Sequence, residues 1–269
     1  NISAQLALGR VLYRSGRPQE ALAPLNQALS LAIQTDNREA RANVLQALGN
    51  AYRRLRRMDQ ALDQLVESLE IKREIGDLRG VSASLSGIGY IQDLEGDDDA
   101  ARDSYREALQ ISRDIGDDVG VGQVLLALGD LERIRGNHDE ALQHTKEALR
   151  VQIEAGDERS QAQSLNNIGT IYHARGEYGE AIVYYERAIE VRRKLADAAA
   201  VADTLHNTAE TYLYMGRYDK SVDNYLAALK ARREAADHLG EFCHLGGLGG
   251  RGLPGARSSA RSPWACPEG

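Results

Sequence analysis

The sequence predicts an all-α protein: a solenoid of six stacked antiparallel helix pairs followed by a partial seventh helix. Three observations carry that prediction. The first is a period of 40 residues without slippage. Gly9, Gly49, Gly89, Gly129 and Gly169 keep it, with Ala209 in the sixth place. Ala21, Ala61, Ala101, Ala141 and Ala181 keep it too, with Ser221 sixth, as do Ala28, Ser68, Ala108, Ala148, Ala188 and Ala228. A fixed period of this size is the mark of a repeat architecture. The second observation is helical spacing inside each period. The third is the absence of β-branched alternation throughout, together with only two prolines, Pro18 and Pro24, before residue 241.

Each element follows from local pattern. The units run at about 1–36, 37–76, 77–116, 117–156, 157–196 and 197–236. In the fifth, Leu165, Ile168, Ile171 and Tyr172 make one apolar stripe of a first helix. Gly176 and Glu177 interrupt it, and Ala181, Ile182, Tyr185, Ala188 and Ile189 make the stripe of a second helix. Gly76–Asp77, Gly116–Asp117 and Gly156–Asp157 read as a helix stop followed by an N-cap. Pro18 belongs to a turn and Pro24 to about the first turn of a second helix, where proline is tolerated. Glycine in a helix costs about 1 kcal/mol relative to alanine. Its recurrence at one position therefore implies a close helix–helix approach, which the spacing assigns to Gly49 against Ala61. A lone amphipathic pair cannot bury its apolar face, so residues 1–240 should form one continuous stack.

The end of the chain differs in kind. Phe242, Cys243, Trp264 and Cys266 supply every Phe, Trp and Cys of the protein, all within its last 28 residues. Leu245, Leu248 and Gly249 still fall on the repeat columns, so residues 241–250 are expected to begin a seventh first helix or a cap. Gly252 then stands where tyrosine belongs and Arg261 where alanine belongs, and residues 251–269 are expected to be a disordered tail. A frameshifted or artefactual terminus would account for this change. The start at Asn1 in place of Met suggests a fragment or processed product.

These columns resemble the tetratricopeptide repeat. The leucine, small apolar, glycine and tyrosine positions of its first helix appear as Leu45, Leu48, Gly49 and Tyr52, and those of its second helix as Ala181, Tyr185 and Ala188. The resemblance implies a right-handed superhelix. Gln5, Gln92, Glu132, Arg102 and Thr145 depart from the pattern. The 40-residue unit, longer than the usual ~34, is similar to the repeats of kinesin light chain, of cell-polarity scaffolds, and of large bacterial regulators that carry a nucleotide-switch ATPase.

The family places its first helices on a concave surface. Carried over residue by residue, the second unit presents Asn43, Gln46, Asn50, Arg53 and Arg54 to a groove. The third and fourth present Tyr90, Asp130 and Arg133; the fifth, Gln163, Asn166, Asn167, Thr170 and His173; the sixth, Asp203, His206, Asn207, Glu210 and Tyr214. Asn167 and Asn207 stand 40 apart. A carboxamide offers two donors and an acceptor, and so can pair with an extended peptide backbone whatever its side chains; Asn167 and Asn207 are therefore the first residues expected to contact a peptide backbone, ahead of the reading as a solvated polar face. Ala47, Gly87 and Ala127 occupy the equivalent places in the middle units, leaving a smoother groove with Leu94, Leu126 and Ile134 nearby. Arg10, Arg14, Arg53, Arg54, Arg56 and Arg57 crowd the first two units, while Asp203 and Glu210 mark the sixth, so the groove should run from basic to acidic. Arg56 and Arg57 read equally well as turn residues in water. The lysine-based carboxylate clamp of some relatives is not expected, because Gln163 and Asp203 replace its lysines.

The function expected is binding, not catalysis. The net charge of −7 argues against a general nucleic-acid binder. No apolar run approaches a membrane span. No nucleophile–base pair or phosphate loop occurs in the body, and no cofactor is implied. Asp203, His206 and Glu210 share a helical face, with His173 on another unit, but the spacing is no metal motif and no metal is expected. The reading is a cytoplasmic scaffold for a protein or extended peptide, the interaction module of a longer chain. The alternative is a self-associating module of a bacterial regulator with an upstream ATPase domain, which allows for a homo-oligomer.

Overall fold

The computed structural model describes the backbone of residues 1–248 and the side chains of residues 1–236. Twelve helices fill the described residues, and no strand occurs among them. They form six antiparallel pairs: α1 (Ile2–Arg14) with α2 (Pro18–Gln34), α3 (Arg38–Arg54) with α4 (Met58–Ile75), and α5 (Leu78–Glu95) with α6 (Asp98–Asp114). They continue as α7 (Asp118–Ile134) with α8 (His138–Glu154), α9 (Glu158–Ala174) with α10 (Tyr178–Lys194), and α11 (Ala198–Tyr214) with α12 (Tyr218–Leu248). No helix among the described residues is long and apolar enough to cross a membrane.

Turns recur at half the repeat. The left-handed residues are Gly16, Asp36, Arg56, Gly76, Gly96, Gly116, Gly136, Gly156, Gly176, Ala196 and Gly216, one every 20 residues. Asp77 and Asp157 cap the helices that follow, accepting from the backbone N–H of Gly80 and Ser160 at 2.9 and 3.1 Å. Asp117 makes no such cap bond and pairs with Arg79 at 3.2 Å. Pro18 opens α2 as its first residue, and Pro24 lies deeper than its first turn, buried in the helix interior.

The next place in the turn series is Ala236, and there the chain stays helical. α12 runs unbroken to Leu248, so the backbone of residues 241–248, where a seventh first helix or a cap is expected, is continuous with it. Ala196 and Ala236 are both followed by aspartate. A left-handed alanine costs about 1–2 kcal/mol. Docking of α11 offsets that cost at Ala196, and among the described residues no helix follows to offset it at Ala236. The expected tail, 251–269, lies outside the described residues.

The glycine column is explained by the bulky residue sixteen positions later. A Cβ on Gly49 would lie 2.7 Å from Leu65 Cγ, and one on Gly169 would lie 2.6 Å from the Tyr185 ring. Ala61 contributes its carbonyl oxygen at 3.3 Å, so the close approach at Gly49 is chiefly onto Leu65. The alanine columns at 21 and 28 are sealed: Ala61, Ala101, Ala141 and Ala181 have no exposed surface.

Neighbouring units are also joined by buried polar rungs. Lys72, Gln152 and Arg192 share one column, and each reaches a hydroxyl residue of the next first helix: Ser84 at 3.2 Å, Ser164 at 2.6 Å, and Thr204. Two departures from the family pattern prove to be one feature. Arg102 Nε donates to Glu132 at 2.8 Å across a unit boundary, and Asn137 donates to the same carboxylate at 2.7 Å. Burial raises the Glu132 carboxyl, but these donors outweigh it and hold the group below its ordinary range.

Candidate functional site

The backbones of adjacent first helices lie close to one another, whereas adjacent second helices meet only through long side chains such as Arg73–Glu107 and Arg113–Glu147 at 2.6 Å. The first helices are therefore the inner, more tightly spaced layer, and their free sides line the concave surface. Its main cavity, about 710 Å³, lies across α3, α5 and α7. The floor is made of small residues, Ala83, Gly87 and Ala127, and a Cβ on Gly87 would lie 2.9 Å from Leu65 below. Around it stand Gln46, Asn50, Arg53, Ser86, Tyr90 and Gln123.

Gln46 is fixed from behind. Its Oε1 accepts from the Lys72 ammonium at 2.8 Å and from the Ser84 hydroxyl at 2.6 Å. Lys72 also donates to Gly80 O at 3.3 Å. Lys72 is only 2% exposed. Burial lowers its pKa to about 8, Asp77 opposing and Arg10 assisting. With the oxygen engaged, the amide nitrogen of Gln46 is the end left for the cavity. Arg53 lies over the Tyr90 ring at 4.6 Å, a cation–π pair at the cavity wall. A smaller concavity beside it, lined by Arg10, Tyr13 and Arg14, shares Gln46 and Asn50.

The structure thus brings Asn50, Arg53 and Tyr90 together at one site and places the other expected residues elsewhere. Asn43 is half-buried on α3, and Arg54 is exposed with its guanidinium over Tyr13 at 5.5 Å. Asp130 and Arg133 pair with each other on α7 at 2.6 Å. Gln163 is exposed on α9 and Asn167 half-buried. Asn207 donates to Asn166 Oδ1 at 3.3 Å, so this carboxamide reaches the residue beside its 40-residue equivalent. Thr170 donates to Asn166 O at 3.1 Å and accepts from the Tyr185 hydroxyl at 3.3 Å.

His173 bonds the Thr211 hydroxyl at 2.8 Å, with Tyr178 and Tyr214 edge-on to its ring at 5.4 and 5.1 Å. Burial lowers the His173 pKa, against the pull of Glu210, which is exposed on α11. Asp203 turns to Arg232 of α12 at 3.1 Å, and His206 packs on Tyr225 of the same helix at 5.3 Å. Arg56 is a left-handed turn residue, and Arg57 caps α4 and donates to Gln19 at 3.4 Å.

Ser86, Gln123, Asp93 and Tyr178 were not among the expected residues. Ser86 and Gln123 occupy the same columns as Gln46 and Asn43, so the rule applied to the second unit would have found them in the third and fourth. Asp93 shares the column of Arg53; burial, then the charges of Asp130 and Asp98, holds its carboxyl above the ordinary range. Acidic groups therefore enter the groove in the third unit, well before Glu210.

The model of the tetratricopeptide repeat matches five overlapping spans, residues 2–74, 40–114, 80–154, 120–194 and 160–234. The chain belongs to the tetratricopeptide-repeat family. No curated protein matches it in sequence. Among solved tetratricopeptide-like structures, BtubC (BKLC) from P. vanneervenii is similar with a TM-score of 0.67 at 19% identity, covering 99% of each chain. A Rap protein complexed with Competence and Sporulation Factor has a TM-score of 0.67 at 17% identity, over 88% of this chain and 66% of that one. The STAND protein PH0952 from Pyrococcus horikoshii, which has a tetratricopeptide repeat sensor, has a TM-score of 0.64 at 22% identity, over 86% of this chain and 37% of its own. At these identities the likeness concerns the fold.

Proposed function

We propose that this tetratricopeptide solenoid binds an extended peptide segment of a protein partner, centred on the cavity across α3, α5 and α7. The observation that carries this reading is the wall around the small-residue floor: a Gln46 amide anchored by Lys72 and Ser84, beside Asn50 and the Arg53–Tyr90 pair. Gln46 and Asn50 supply hydrogen bonds to the main chain. Ala83, Gly87 and Ala127 let that main chain or one apolar side chain approach the helices closely. The Tyr90 ring and Arg53 supply the anchor types that dominate binding energy at interfaces. Likeness to a Rap protein solved with Competence and Sporulation Factor supports ligand binding within such a solenoid. Likeness to part of a longer STAND protein supports a place as the sensing module of a larger regulator.

The test is selection of peptides from a displayed random library on the full chain, followed by titration of one synthetic winner. Arg53→Ala with Tyr90→Ala should abolish its binding, and the same pair of substitutions should leave the helical circular dichroism unchanged. Unaltered affinity would remove the middle cavity as the site.

A further inference from the structure

On the outward side of α12, the columns of Val222 and Leu229 are open where the earlier second helices are covered. Val222, Leu226 and Leu229 are 56%, 60% and 55% exposed. In earlier units those two columns face the following unit, while the columns of Asp219, Leu226 and Arg233 stay exposed and reach it only through side chains at the rim. Ile182 and Ile189, equivalent to Val222 and Leu229, are buried. Lys146, equivalent to Leu226, donates to Tyr172 of the next first helix at 2.9 Å. Asp139, equivalent to Asp219, accepts from Arg175 of the next unit at 2.5 Å. Arg113, equivalent to Arg233, donates to Glu147 of the next unit at 2.6 Å. Asp219, Val222, Leu226, Leu229 and Arg233 thus form one stripe with 3-4-3-4 spacing, the geometry of a helix–helix seam.

We propose that a second copy of this chain covers the stripe, with α12 packed antiparallel on the partner's α12 about a two-fold axis at Leu226, which sets Asp219 opposite the partner's Arg233. The charge order selects this occupant. Exposed Asp219 and Asp223 lie toward the start of the helix and exposed Lys230 and Arg233 toward its end. A two-fold axis sets each acidic half on the partner's basic half, twice over, and sets leucine on leucine in the middle. Leucine occurs at this central column in the sixth unit alone, after Asn26, Val66, Arg106, Lys146 and Glu186.

Head-to-tail stacking of copies matches less well. The face of α1 and α2 that a continuing stack would bring here has Gln5 in the column of Leu45 and Leu205. It would also offer Gln27 to Arg233 and Ser15 to Asp219, at the columns of Glu147 and Arg175. The proposal is independent of the groove, because the stripe lies on a second helix and the groove is lined by first helices.

Sedimentation equilibrium of the full chain tests it. The wild-type chain should reach twice its 29.5 kDa mass as concentration rises. Leu226→Asp, an exposed position, should remain a monomer throughout with unchanged helical circular dichroism. Arg233→Asp should weaken association at least about ten-fold, as expected on opposing like charges across an interface. Adding Asp219→Arg to it should restore the dimer, since both pairs are then reversed together. Four results would overturn the proposal: a wild-type monomer up to about 100 µM, the weak end of specific association; a dimer that survives Leu226→Asp; oligomers growing beyond two, which would mark head-to-tail stacking; or no restoration in the double variant.

Discussion

Gln46 in the second unit and Asn166 in the fifth occupy the same column of the same groove and end up in different chemical states. Gln46 is held through its oxygen by groups behind the wall, Lys72 and Ser84. The Asn166 side chain is engaged within the groove by Asn207, which donates to its Oδ1. His173 repeats the contrast with Arg53: the imidazole is bonded to Thr211 and flanked by two tyrosines, while the guanidinium rests on one ring at the cavity edge. A polar side chain anchored from the core can present its other end to a ligand. Polar side chains crowded on one surface satisfy one another first.

Four measurements would break or sharpen this contrast. The largest effect belongs to Lys72. Its folded pKa, about 8, lies below its ordinary 10.5. The unfolded chain therefore binds the extra proton between those values, and stability should rise with pH from about 8 to 10.5. That difference corresponds to at most about 3.4 kcal/mol. Lys72→Met should flatten that rise and stabilise the protein at pH 7, as seen when buried charges yield to apolar residues; urea unfolding across pH checks both.

Next comes affinity. Tyr90→Ala alone should cost a selected peptide roughly ten-fold or more, about 1.4 kcal/mol or above, while Asn167→Ala with Asn207→Ala should cost far less. The reverse order by calorimetry would move the site to the C-terminal end.

The third effect is local. Asp157→Ala should lose about 1 kcal/mol, since its side chain caps α9. Asp117→Ala should lose less, because its carboxylate makes no cap bond and pairs only with Arg79, whose side chain is exposed. Equal losses in thermal unfolding would refute the distinction.

The smallest effect is that of His173. Burial sets its folded pKa below 6.5, so the unfolded chain is protonated first as pH falls. Stability should decline below about pH 6.5, and His173→Gln should remove part of that decline. A wild-type pH slope unchanged in the variant would show that the imidazole is not shielded.

Much of the inner surface was legible in advance. The glycine columns set the register, and from it follows that Asn50, Arg53 and Tyr90 share the inner faces of their first helices, where they border one cavity. Asn167 and Asn207 were legible as equivalent positions, but not the bond from Asn207 to Asn166, since side-chain reach depends on how neighbouring helices are offset. Arg102 and Glu132 look like two separate lapses from the repeat, 30 residues apart. Only the packing of α6 on α7 makes them one buried ion pair.

The sequence by itself determined the repeat, its helix pairs and the face each helix buries, because 3.6-residue periodicity and a constant 40-residue step leave few other ways to bury those stripes. It determined most turns as well, where glycine admits the left-handed conformation without cost. The tertiary structure decided the rest. Ala196 turns and Ala236 does not, although both precede aspartate; the left-handed turn at Ala196 costs about 1–2 kcal/mol, which the docking of α11 offsets. Which carboxamide faces a ligand was likewise decided in three dimensions, by a buried lysine 26 residues from the glutamine that it orients.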